Sequence, residues 1–448
     1  MATLRRPLIE PKPSYAHGRQ LAQHIFMATM ALVDVRRAML NKLKLEGGEL
    51  RAGELAIPVA KPPRVVAVGK AALRMSAALD EILGGRVEAG VVVAPVEPGK
   101  KLEGCRYFLG GHPYPTQGSL DGAQAAVELV SGLAADDLVI FLISGGGSAL
   151  FEKPLDPAVT LAALVEFNRV LVTGGLPIEQ INVLRKHISA VKGGRLAVAA
   201  SPARQLTLYV SDVPENFPSM IASGPTLADE STCEQCYEIA ERSGLTPKLP
   251  AAIRERFEMR SLEETPKPGD ERFTRSNYFC LLSNRDAVEA AVTIARDAGF
   301  YAEIDSGDWD TEYEQVAKNS LASLDQCVQA HPGRPVCLVL GGEVTCRVTG
   351  HGIGGRNLSF ALRAAQMMEG RERVVLSCAT DGRDGNSPSC GAVADGHTTS
   401  RARALGMDTA QFLAESDAYH FFRTLGDTIE TGFTDNNLRD LRMFMSFE

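Results

Sequence analysis

The chain has 448 residues, which is too long for one core of ordinary size and suits two or three domains. Its composition, with 45% hydrophobic and 23% charged residues, is typical of folded globular proteins. Its formal net charge of −8 comes from 47 basic and 55 acidic residues, with no basic surface run that would predict a nucleic acid partner. No apolar stretch approaches the roughly 20 residues that span a bilayer, so we predict no membrane association.

The first residues contain two arginines but no continuous apolar segment, so they do not have the pattern of a signal peptide, and we predict a cytoplasmic protein. Apolar residues then recur at helical intervals between Arg19 and Leu43, which predicts an amphipathic helix. The glycine- and proline-rich segment from Gly47 to Pro63 is interpreted as a hinge.

A strand, a tight turn and a helix follow, which form the first half of a βαβ unit. The strand is Val65 to Val68, the turn is Gly69 and Lys70, and helical periodicity continues to Leu83. Similar apolar runs predict further strands at residues 91–94, 138–143, 206–210, 278–282, 336–340 and 374–378. Their alternation with helical segments predicts an α/β fold of two domains with mostly parallel sheets.

The proline-rich, charged segment from Glu241 to Arg275 is interpreted as the domain boundary. We therefore expect an N-terminal domain of residues 1–245 and a C-terminal domain of residues 270–448, whose last helix packs back on the first domain.

Three of the predicted strands stop at an acidic residue, namely Asp212, Glu343 and Asp381. Ligands bind beyond the carboxyl ends of strands in open parallel sheets, so each of these acids is a candidate site residue. Lys70 has the corresponding position after the first strand, where an ammonium group could neutralise a phosphoryl group; a solvated lysine at the rim is the equal alternative.

The segment Ser144, Gly145, Gly146, Gly147, Ser148 follows a predicted buried strand and precedes a predicted helix. Consecutive glycines allow backbone N–H groups to approach an anion closely, which predicts a phosphate or carboxylate cradle. A tight turn without a ligand is the alternative.

Two better-known phosphate motifs do not match. The pair Gly69–Lys70 lacks the earlier glycine of a Walker loop and is followed by Ala71. In a dinucleotide fingerprint beginning at Gly145, Leu150 occupies the place of the third glycine.

A basic group in NVLRKHISAVKGGRLA places four positive charges within eleven residues, which predicts binding of carboxylate or phosphate, with a solvated helix face as the alternative. Its members are Arg185, Lys186, Lys192 and Arg195, and His187 lies among them without an assigned role.

A second glycine-rich turn, from His351 to Gly355, leads into Arg356, whose guanidinium is suited to gripping phosphate oxygens. The sequence TDGRDG supplies Asp381 and Asp384 but lacks the acid alternation of a calcium loop. Carboxylates beside phosphates favour magnesium.

The nine cysteines are scattered, and only Cys233 and Cys236 have the C-x-x-C spacing of a metal site. No second pair follows at zinc-site distance, so we predict structural or incidental thiols.

Taken together, eight ordered segments make the chain resemble the class II glycerate 2-kinases, whose C-terminal domain is called MOFRL and whose members are often labelled hydroxypyruvate reductases. The segments are VAVGKAA, GGHPYP, SGGGSAL, NVLRKHISAVKGGRLA, SDV followed by IASGPT, LGGEVT, GGRN and TDGRDG. The resemblance implies a larger Rossmann-like N-terminal domain, a smaller MOFRL-type C-terminal domain and an active-site cleft between them.

The resemblance also implies an ATP-dependent kinase that phosphorylates the 2-hydroxyl of D-glycerate with the help of Mg²⁺. Its catalytic lysine and arginine fall on Lys70 and Arg356, and its cleft acids fall on Asp212 and Glu343. We expect Asp212 to orient or deprotonate the hydroxyl, and Glu343 and Asp381 to hold Mg²⁺ directly or through water. The substrate carboxylate is expected at the Arg185–Lys192 region or at the SGGGS amides.

Three loops depart from the family pattern, after Asp212 (Pro214 to Phe217), after Asn357 (Leu358–Ser359) and at Gly432 to Asn437. Because loops set specificity, a kinase acting on a related small hydroxy acid is an alternative. An NAD(P)H-dependent hydroxypyruvate reductase is disfavoured by the absent fingerprint, and a ligand-binding relative without turnover is a third hypothesis. The sequence does not define the oligomeric state, and a homo-oligomer is compatible with it.

Overall fold

The computed structural model describes residues 15–213, 218–307, 309–434 and 436–448. Contacts within the chain define two compact units. The N-terminal unit contains residues 35–281, and the C-terminal unit combines residues 15–34 with residues 282–448. Among the helices of the described residues, none has both the length and the apolar character needed to cross a bilayer.

The first helix, α1 (Tyr15–Leu32), belongs to the C-terminal unit. The N-terminal unit then contains, in chain order, α2 (Val35–Lys42), β1 (Leu43–Glu46), β2 (Glu49–Ala52), β3 (Leu55–Pro58), β4 (Arg64–Val68), α3 (Ala72–Leu83), β5 (Ala89–Ala94), β6 (Cys105–Leu109), α4 (Gln117–Val130), β7 (Leu138–Ile143), α5 (Gly147–Leu150), α6 (Leu161–Thr173), α7 (Ile178–Ile188), α8 (Arg195–Ala200), β8 (Arg204–Val210), α9 (Cys233–Arg242), α10 (Ala251–Glu258) and β9 (Ser276–Leu282).

Six strands of this unit form one sheet in the order β6-β5-β4-β7-β8-β9. The pairs β6–β5, β5–β4, β4–β7 and β7–β8 are parallel, as predicted. All six residues of β7 are buried, which explains its unbroken apolar sequence. The order matches that of dinucleotide-binding folds, in which the ligand crevice opens where the strand order reverses. Here that switch point lies between β4 and β7, so it is formed by the loops that begin at Gly69 and Ser144.

The predicted hinge after Gly47 is instead a small antiparallel sheet of β1, β2 and β3. Gly47 and Gly48 have φ of 61° and 81° and form the tight turn between β1 and β2, so these glycines serve a hairpin rather than a linker.

The C-terminal unit continues with α11 (Asn284–Asp297), β10 (Tyr301–Ile304), α12 (Tyr313–Ala330), β11 (Val336–Leu340), α13 (Arg356–Met367), β12 (Arg373–Ala379), β13 (Gly391–Asp395), α14 (Thr398–Ala404), α15 (Thr409–Ala414), α16 (Ala418–Leu425), β14 (Thr428–Ile429) and β15 (Asp440–Ser446). Its six-stranded sheet has the order β10-β11-β15-β12-β13-β14.

For this second sheet the prediction of mostly parallel strands is wrong. Within the described part of the chain β10 and β11 pair in parallel, whereas the four remaining strand pairs are antiparallel. The last strand, β15, inserts between β11 and β12 and opposes both; its sequence was not recognised as a strand because it includes the charged residues Asp440 and Arg442. Since β11 and β12 run in the same direction, their carboxyl ends and the start of β15 share one edge of the sheet.

The division into units differs from the predicted domain ranges. Residues 246–275 stay with the N-terminal unit because Leu249, Ile253 and Phe257 pack with Phe167 of α6 in its second core. The predicted helix from Arg19 to Leu43 is broken after Leu32, and α1 packs in the core of the C-terminal unit. The last helix, α16, packs in a core of the C-terminal unit through Phe421 and Phe422.

Candidate active site

The loops after β4 and β7 are joined by hydrogen bonds at the switch point of the N-terminal sheet. The backbone N–H of Lys70 donates to the carbonyl of Gly145 at 2.9 Å, and that of Ala71 donates to Ser144 Oγ at 3.0 Å. Gly69 has a φ of 117°, and a Cβ atom there would overlap Ser144, so glycine is required. The structure therefore brings Lys70 together with the predicted cradle.

Gly146 lies beside the side chains of Lys70 and His112. A Cβ atom on Gly146 would lie 3.3 Å from Lys70 Cγ and 3.4 Å from His112 Cδ2, and its φ of 81° is left-handed. The helix that follows, α5, has only four residues, so it contributes less dipole than the full helix expected from the sequence. His112 was not selected as a candidate, although the segment GGHPYP contains it.

A buried polar chain connects the last cradle residue to α7. Ser148 Oγ lies 2.8 Å from Ser223 Oγ, and Ser223 Oγ donates to Asn182 Oδ1 at 2.9 Å. Ala222 and Ser223 have φ of 51° and 60°, and non-glycine residues with such angles each cost on the order of 1 kcal/mol. The strain therefore lies in the segment that packs directly against the glycine loop.

The basic group is largely buried rather than spread over a solvated helix face, and Lys186 and Lys192 are ion-paired. Lys192 has no exposed surface, contacts the Glu152 carboxylate and donates to the carbonyl of Phe151 at 3.0 Å. Arg185 Nε donates to Asn168 Oδ1 at 2.9 Å. Burial lowers the pKa of both Lys192 and Arg185, and the nearby charge of Glu152 opposes this shift.

The remaining members of the group have different surroundings. Lys186 Nζ donates to the buried Asp229 at 2.9 Å. Arg195 donates to the carbonyls of Glu263 and Glu264 and lines a separate cavity of about 590 Å³. The structure thus divides the predicted cluster into individual pairs.

Asp212 is the second residue after β8, follows Ser211 and is half-buried. Because β8 pairs in parallel with β7, Asp212 and Ser144 both follow carboxyl ends of neighbouring strands. The residues after Asp212 that differ from the family pattern, Pro214 to Phe217, lie outside the described residues.

In the C-terminal unit Arg356 is held between two carboxylates. Its Nε and Nη2 atoms donate to the buried Asp440 at 2.7 and 3.0 Å, and its Nη1 atom lies 2.7 Å from Glu343 Oε1. Burial alone would lower the pKa of Arg356, but the charges of Asp440 and Glu343 outweigh it and raise that pKa. Burial raises the pKa of Glu343 against the opposing charge of Arg356.

Asp440 was missed by the sequence analysis. It also accepts from Asn357 Nδ2 at 2.9 Å and contacts Arg442, which is fully buried. Burial favours a higher pKa for Asp440, but the charges of Arg356 and Arg442 lower it below the usual value. These two charges favour the anionic form of Asp440, which anchors Arg356.

Asp384 closes the start of α13. Its two carboxylate oxygens accept from the backbone N–H groups of Asn357 at 3.1 Å and Leu358 at 2.8 Å. Burial raises the pKa of Asp384 to about 6, against these two hydrogen bonds. Asp384 therefore caps the start of α13 rather than binding a metal, because both of its carboxylate oxygens accept hydrogen bonds from the helix backbone.

Asp381 follows β12 and is half-buried, and its Oδ1 atom accepts from the backbone N–H of Arg383 at 3.1 Å. Glu343 follows β11 at the same edge, with Asp440 at the start of β15 between the two strands. A cavity of about 400 Å³ adjoins this edge and is lined by Arg356, Ser359 and the turn of residues 352–355. The loop from Gly432 to Asn437 differs from the family pattern, and its residue 435 lies outside the described residues.

Comparison with known proteins identifies the family of this chain. Residues 21–258 match the domain of unknown function DUF4147, and residues 336–440 match the MOFRL family. The D-glycerate 2-kinase of Thermotoga maritima is 36% identical over 398 residues, which cover 87% of this chain and 93% of that protein. The chain belongs to the class II glycerate 2-kinase family.

Relatives with different names and a solved structure extend the comparison. An Agrobacterium vitis protein provisionally named hydroxypyruvate reductase is 33% identical, with 96% of this chain and 94% of that protein covered. The crystal structure of a glycerate kinase from Thermotoga maritima superposes with a TM-score of 0.83 at 33% identity, covering 96% of this chain and all of that chain. The predicted family and α/β fold are therefore confirmed.

Proposed function

We propose that this protein is an ATP-dependent kinase that phosphorylates the 2-hydroxyl of D-glycerate to give 2-phosphoglycerate. Its family membership supports phosphoryl transfer as the reaction class. The observation that carries the proposal is the placement of Lys70 beside Gly146 at the switch point of the parallel sheet. Phosphoryl transfer is catalysed mainly by positioned positive charge and backbone donors, which this placement supplies.

The glycine loop is proposed to receive the phosphates of ATP. A side chain at residue 146 would fill the space between Lys70 and His112, so glycine keeps that space open. The Lys70 ammonium would then offset negative charge on the migrating group, while the cradle residues Ser144 to Ser148 position it.

In the proposed reaction the 2-hydroxyl oxygen of glycerate forms a bond to the γ-phosphorus as the bond between that phosphorus and the ADP oxygen breaks. Asp212 would orient the hydroxyl and accept its proton. The carboxylate of the substrate would be bound by the SGGGS amides or by Arg185. Lys192 could serve there only by leaving its pair with Glu152.

Arg356 is proposed to act in the same reaction, and its contacts suit that role. Asp440 fixes one edge of the guanidinium from a fully buried position, whereas Glu343 retains 41% of its side-chain surface exposed. An arriving phosphate oxygen can therefore compete with Glu343 for Nη1 without displacing the anchor. Such preorganised donors stabilise developing charge without reorganisation.

Glu343 and Asp381 are proposed to hold Mg²⁺, directly or through water. Both offer the carboxylate oxygens that Mg²⁺ prefers, at one edge of the C-terminal sheet. When bound with ATP, Mg²⁺ would offset the charge of the phosphates. Glu343 could bind Mg²⁺ only when Arg356 releases it to contact the phosphates, because the two side chains form an ion pair.

A coupled assay of ADP release with D-glycerate, ATP and Mg²⁺ tests the activity, and NMR of the product tests the position of the phosphate. Lys70→Ala and Arg356→Ala should each lower kcat by at least about 10²-fold, as the loss of electrostatic donors generally does. Lys100→Ala and Arg403→Ala are matched controls, because both side chains are exposed.

Steady NADH oxidation with hydroxypyruvate, together with no ADP release from ATP and glycerate, would show that the protein is a reductase and would overturn the proposal of a kinase. Turnover with a different small hydroxy acid but not with D-glycerate would keep the kinase and change its substrate. Near-normal kcat in either alanine variant would remove that residue from the mechanism.

A further inference from the structure

Away from the loops assigned to phosphoryl transfer, three side chains of the N-terminal unit converge from separate segments. They are His187 in the last turn of α7, Cys233 at the start of α9, and Glu264 in the segment after α10. One imidazole nitrogen, the thiol sulfur and one carboxylate oxygen all lie within 4.8 Å of one another. Nitrogen, sulfur and oxygen are the three atom types that bind zinc in proteins.

His187 presents an unused lone pair to this group. Its Nδ1 atom lies 2.9 Å from the carbonyl of Val183, and because a carbonyl only accepts, Nδ1 carries the proton. In the neutral ring Nε2 is then an acceptor, yet Nε2 is buried and has no hydrogen-bond partner among the described residues. Leaving such an atom unsatisfied costs free energy, whereas metal-bound histidines characteristically donate their other N–H to a carbonyl in this way.

Glu264 and Cys233 are already held next to each other. Glu264 Oε1 accepts from the backbone N–H of Cys233 at 2.8 Å, and Glu264 Oε2 lies 3.7 Å from His187 Nε2. In a tetrahedral zinc site, bond lengths near 2.0–2.3 Å place ligand atoms roughly 3.3–3.6 Å apart. The separation of 3.7 Å between the imidazole nitrogen and the carboxylate oxygen is already close to this value, and the thiol sulfur lies within 4.8 Å of both atoms, so binding would draw the three ligands together around an ion.

Three cations lie nearby and bear on whether an ion could bind, namely Lys267, Lys186 and Arg195. Arg195 donates to the backbone carbonyls of Glu263 and Glu264. Lys267 Nζ lies 2.6 Å from Glu264 Oε2, but it also donates to Thr265 Oγ1 at 2.7 Å, so it has another acceptor when Glu264 turns to an ion. Lys186 is neutralised by the buried Asp229 at 2.9 Å. A divalent ion with one thiolate, one carboxylate and a neutral imidazole has no net charge, which suits a largely buried site.

We propose that His187 Nε2, Cys233 Sγ and a Glu264 carboxylate oxygen bind one divalent transition metal ion of the zinc type, separate from the Mg²⁺ of the proposed reaction. Binding forms a metal–sulfur bond and releases the thiol proton to solvent. Glu264 lines a cavity of about 590 Å³ and His187 lines another of about 240 Å³, which give an ion and a water ligand access.

This site would join α7, α9 and the segment after α10. Because α7 also carries Asn182 and Arg185, an ion there would stabilise the helix that contacts the glycine loop through Ser223. The inference does not depend on the kinase activity.

The test uses the full-length protein after treatment with a chelator and dialysis, with Zn²⁺ and Co²⁺ as probes and Mg²⁺ as the comparison. We expect one Zn²⁺ per chain by mass spectrometry, a higher Tm with Zn²⁺ but not with Mg²⁺, and a Co²⁺ spectrum with a thiolate charge-transfer band. His187→Gln, Cys233→Ser and Glu264→Gln should each weaken Zn²⁺ binding at least about tenfold.

Cys236→Ser is the matched control, because Cys236 lies one turn along α9 and its thiol is directed at the carbonyl of Val183. It should keep the Zn²⁺ affinity and the cobalt band. Glu264→Gln separates loss of the metal site from misfolding. Half of the Glu264 side chain is exposed, so the Tm of this variant in the presence of chelator should equal that of the wild type. Absence of a bound ion in the wild type, unchanged affinity in the three variants, or loss of the band in Cys236→Ser alone would each overturn the assignment.

Discussion

Breaking the ion pair between Lys192 and Glu152 is expected to destabilise the N-terminal unit strongly. The two side chains have 0% and 5% of their surfaces exposed, and burial lowers the pKa of Lys192. Lys192→Met would leave the Glu152 carboxylate buried without its cation, a change that typically costs about 3–5 kcal/mol. With roughly 2–4 °C per kcal/mol for a domain of this size, Tm should fall by about 6–20 °C.

Differential scanning calorimetry of four proteins measures this effect. They are the wild type, Lys192→Met, Glu152→Gln and the double variant, which contains neither charge and should recover most of the lost Tm. Lys61→Met is the control, because Lys61 forms an exposed pair with Asp136 at 2.7 Å and its loss should change Tm little.

The same variants separate a structural role for Lys192 from the predicted substrate role. If the pair persists in the working enzyme, the double variant regains much of its activity together with its stability. A Lys192→Met protein with wild-type Tm and a strongly raised KM for D-glycerate would refute the structural argument and assign Lys192 to the substrate.

Three further predictions follow from the two sites. Gly146→Ala should lower the activity, and it should lower Tm by a few degrees because alanine is strained at a left-handed φ. Gly84→Ala is the control, since Gly84 has a φ of 64° and open space around it, and it should lower only Tm. Equal activities of the two variants would contradict the proposed role of Gly146 in binding phosphate. Asp440→Asn should destabilise the C-terminal unit by about 3–5 kcal/mol, because the fully buried Arg442 loses its anion and the half-buried Arg356 loses one of its two. Fluorescence of Trp309, the only tryptophan, measures the transition, and an unchanged midpoint would contradict the prediction. Asp384 has a pKa of about 6 in the native state, against roughly 3.9 in the unfolded chain, so the native state binds the proton more tightly. The Tm of the wild type, measured relative to that of Asp384→Asn, should therefore rise as the pH falls from about 6 to about 4. A Tm difference that does not change with pH would contradict this prediction.

Five of the six strands in the sheet of the N-terminal unit could be predicted because each contains a local apolar run followed by a turn, whereas β6, which contains the charged Arg106, was not predicted. Val65 to Val68 and Leu138 to Ile143 are recognisable without knowledge of any other segment. The C-terminal sheet could not be predicted in the same way. Its direction depends on β15, whose buried arginine and aspartate interrupt the apolar pattern and are tolerated only because they pair with residues far away in sequence.

The candidate site shows the same division. Glycine-rich turns after strands identified Lys70, the cradle and Arg356, because the chemistry of such turns is local. Ser223 and Asn182 could not be selected, since their hydrogen bond joins residues 41 positions apart and neither lies in a recognisable turn motif for anions.

Asp440 explains why the surroundings of a recognisable residue are harder to predict than the residue itself. It lies 84 positions after Arg356 and follows a loop without strand character, so no spacing rule links the two. The pairing becomes necessary only in three dimensions, where Arg356 and the fully buried Arg442 bring two positive charges to one sheet edge. A buried anion must then lie between them, because two adjacent cations without one would be more costly than the fold could tolerate. The glycine-rich turn before α13 therefore identifies Arg356 from the sequence, whereas only the order of the strands shows that its buried acid comes from the last strand.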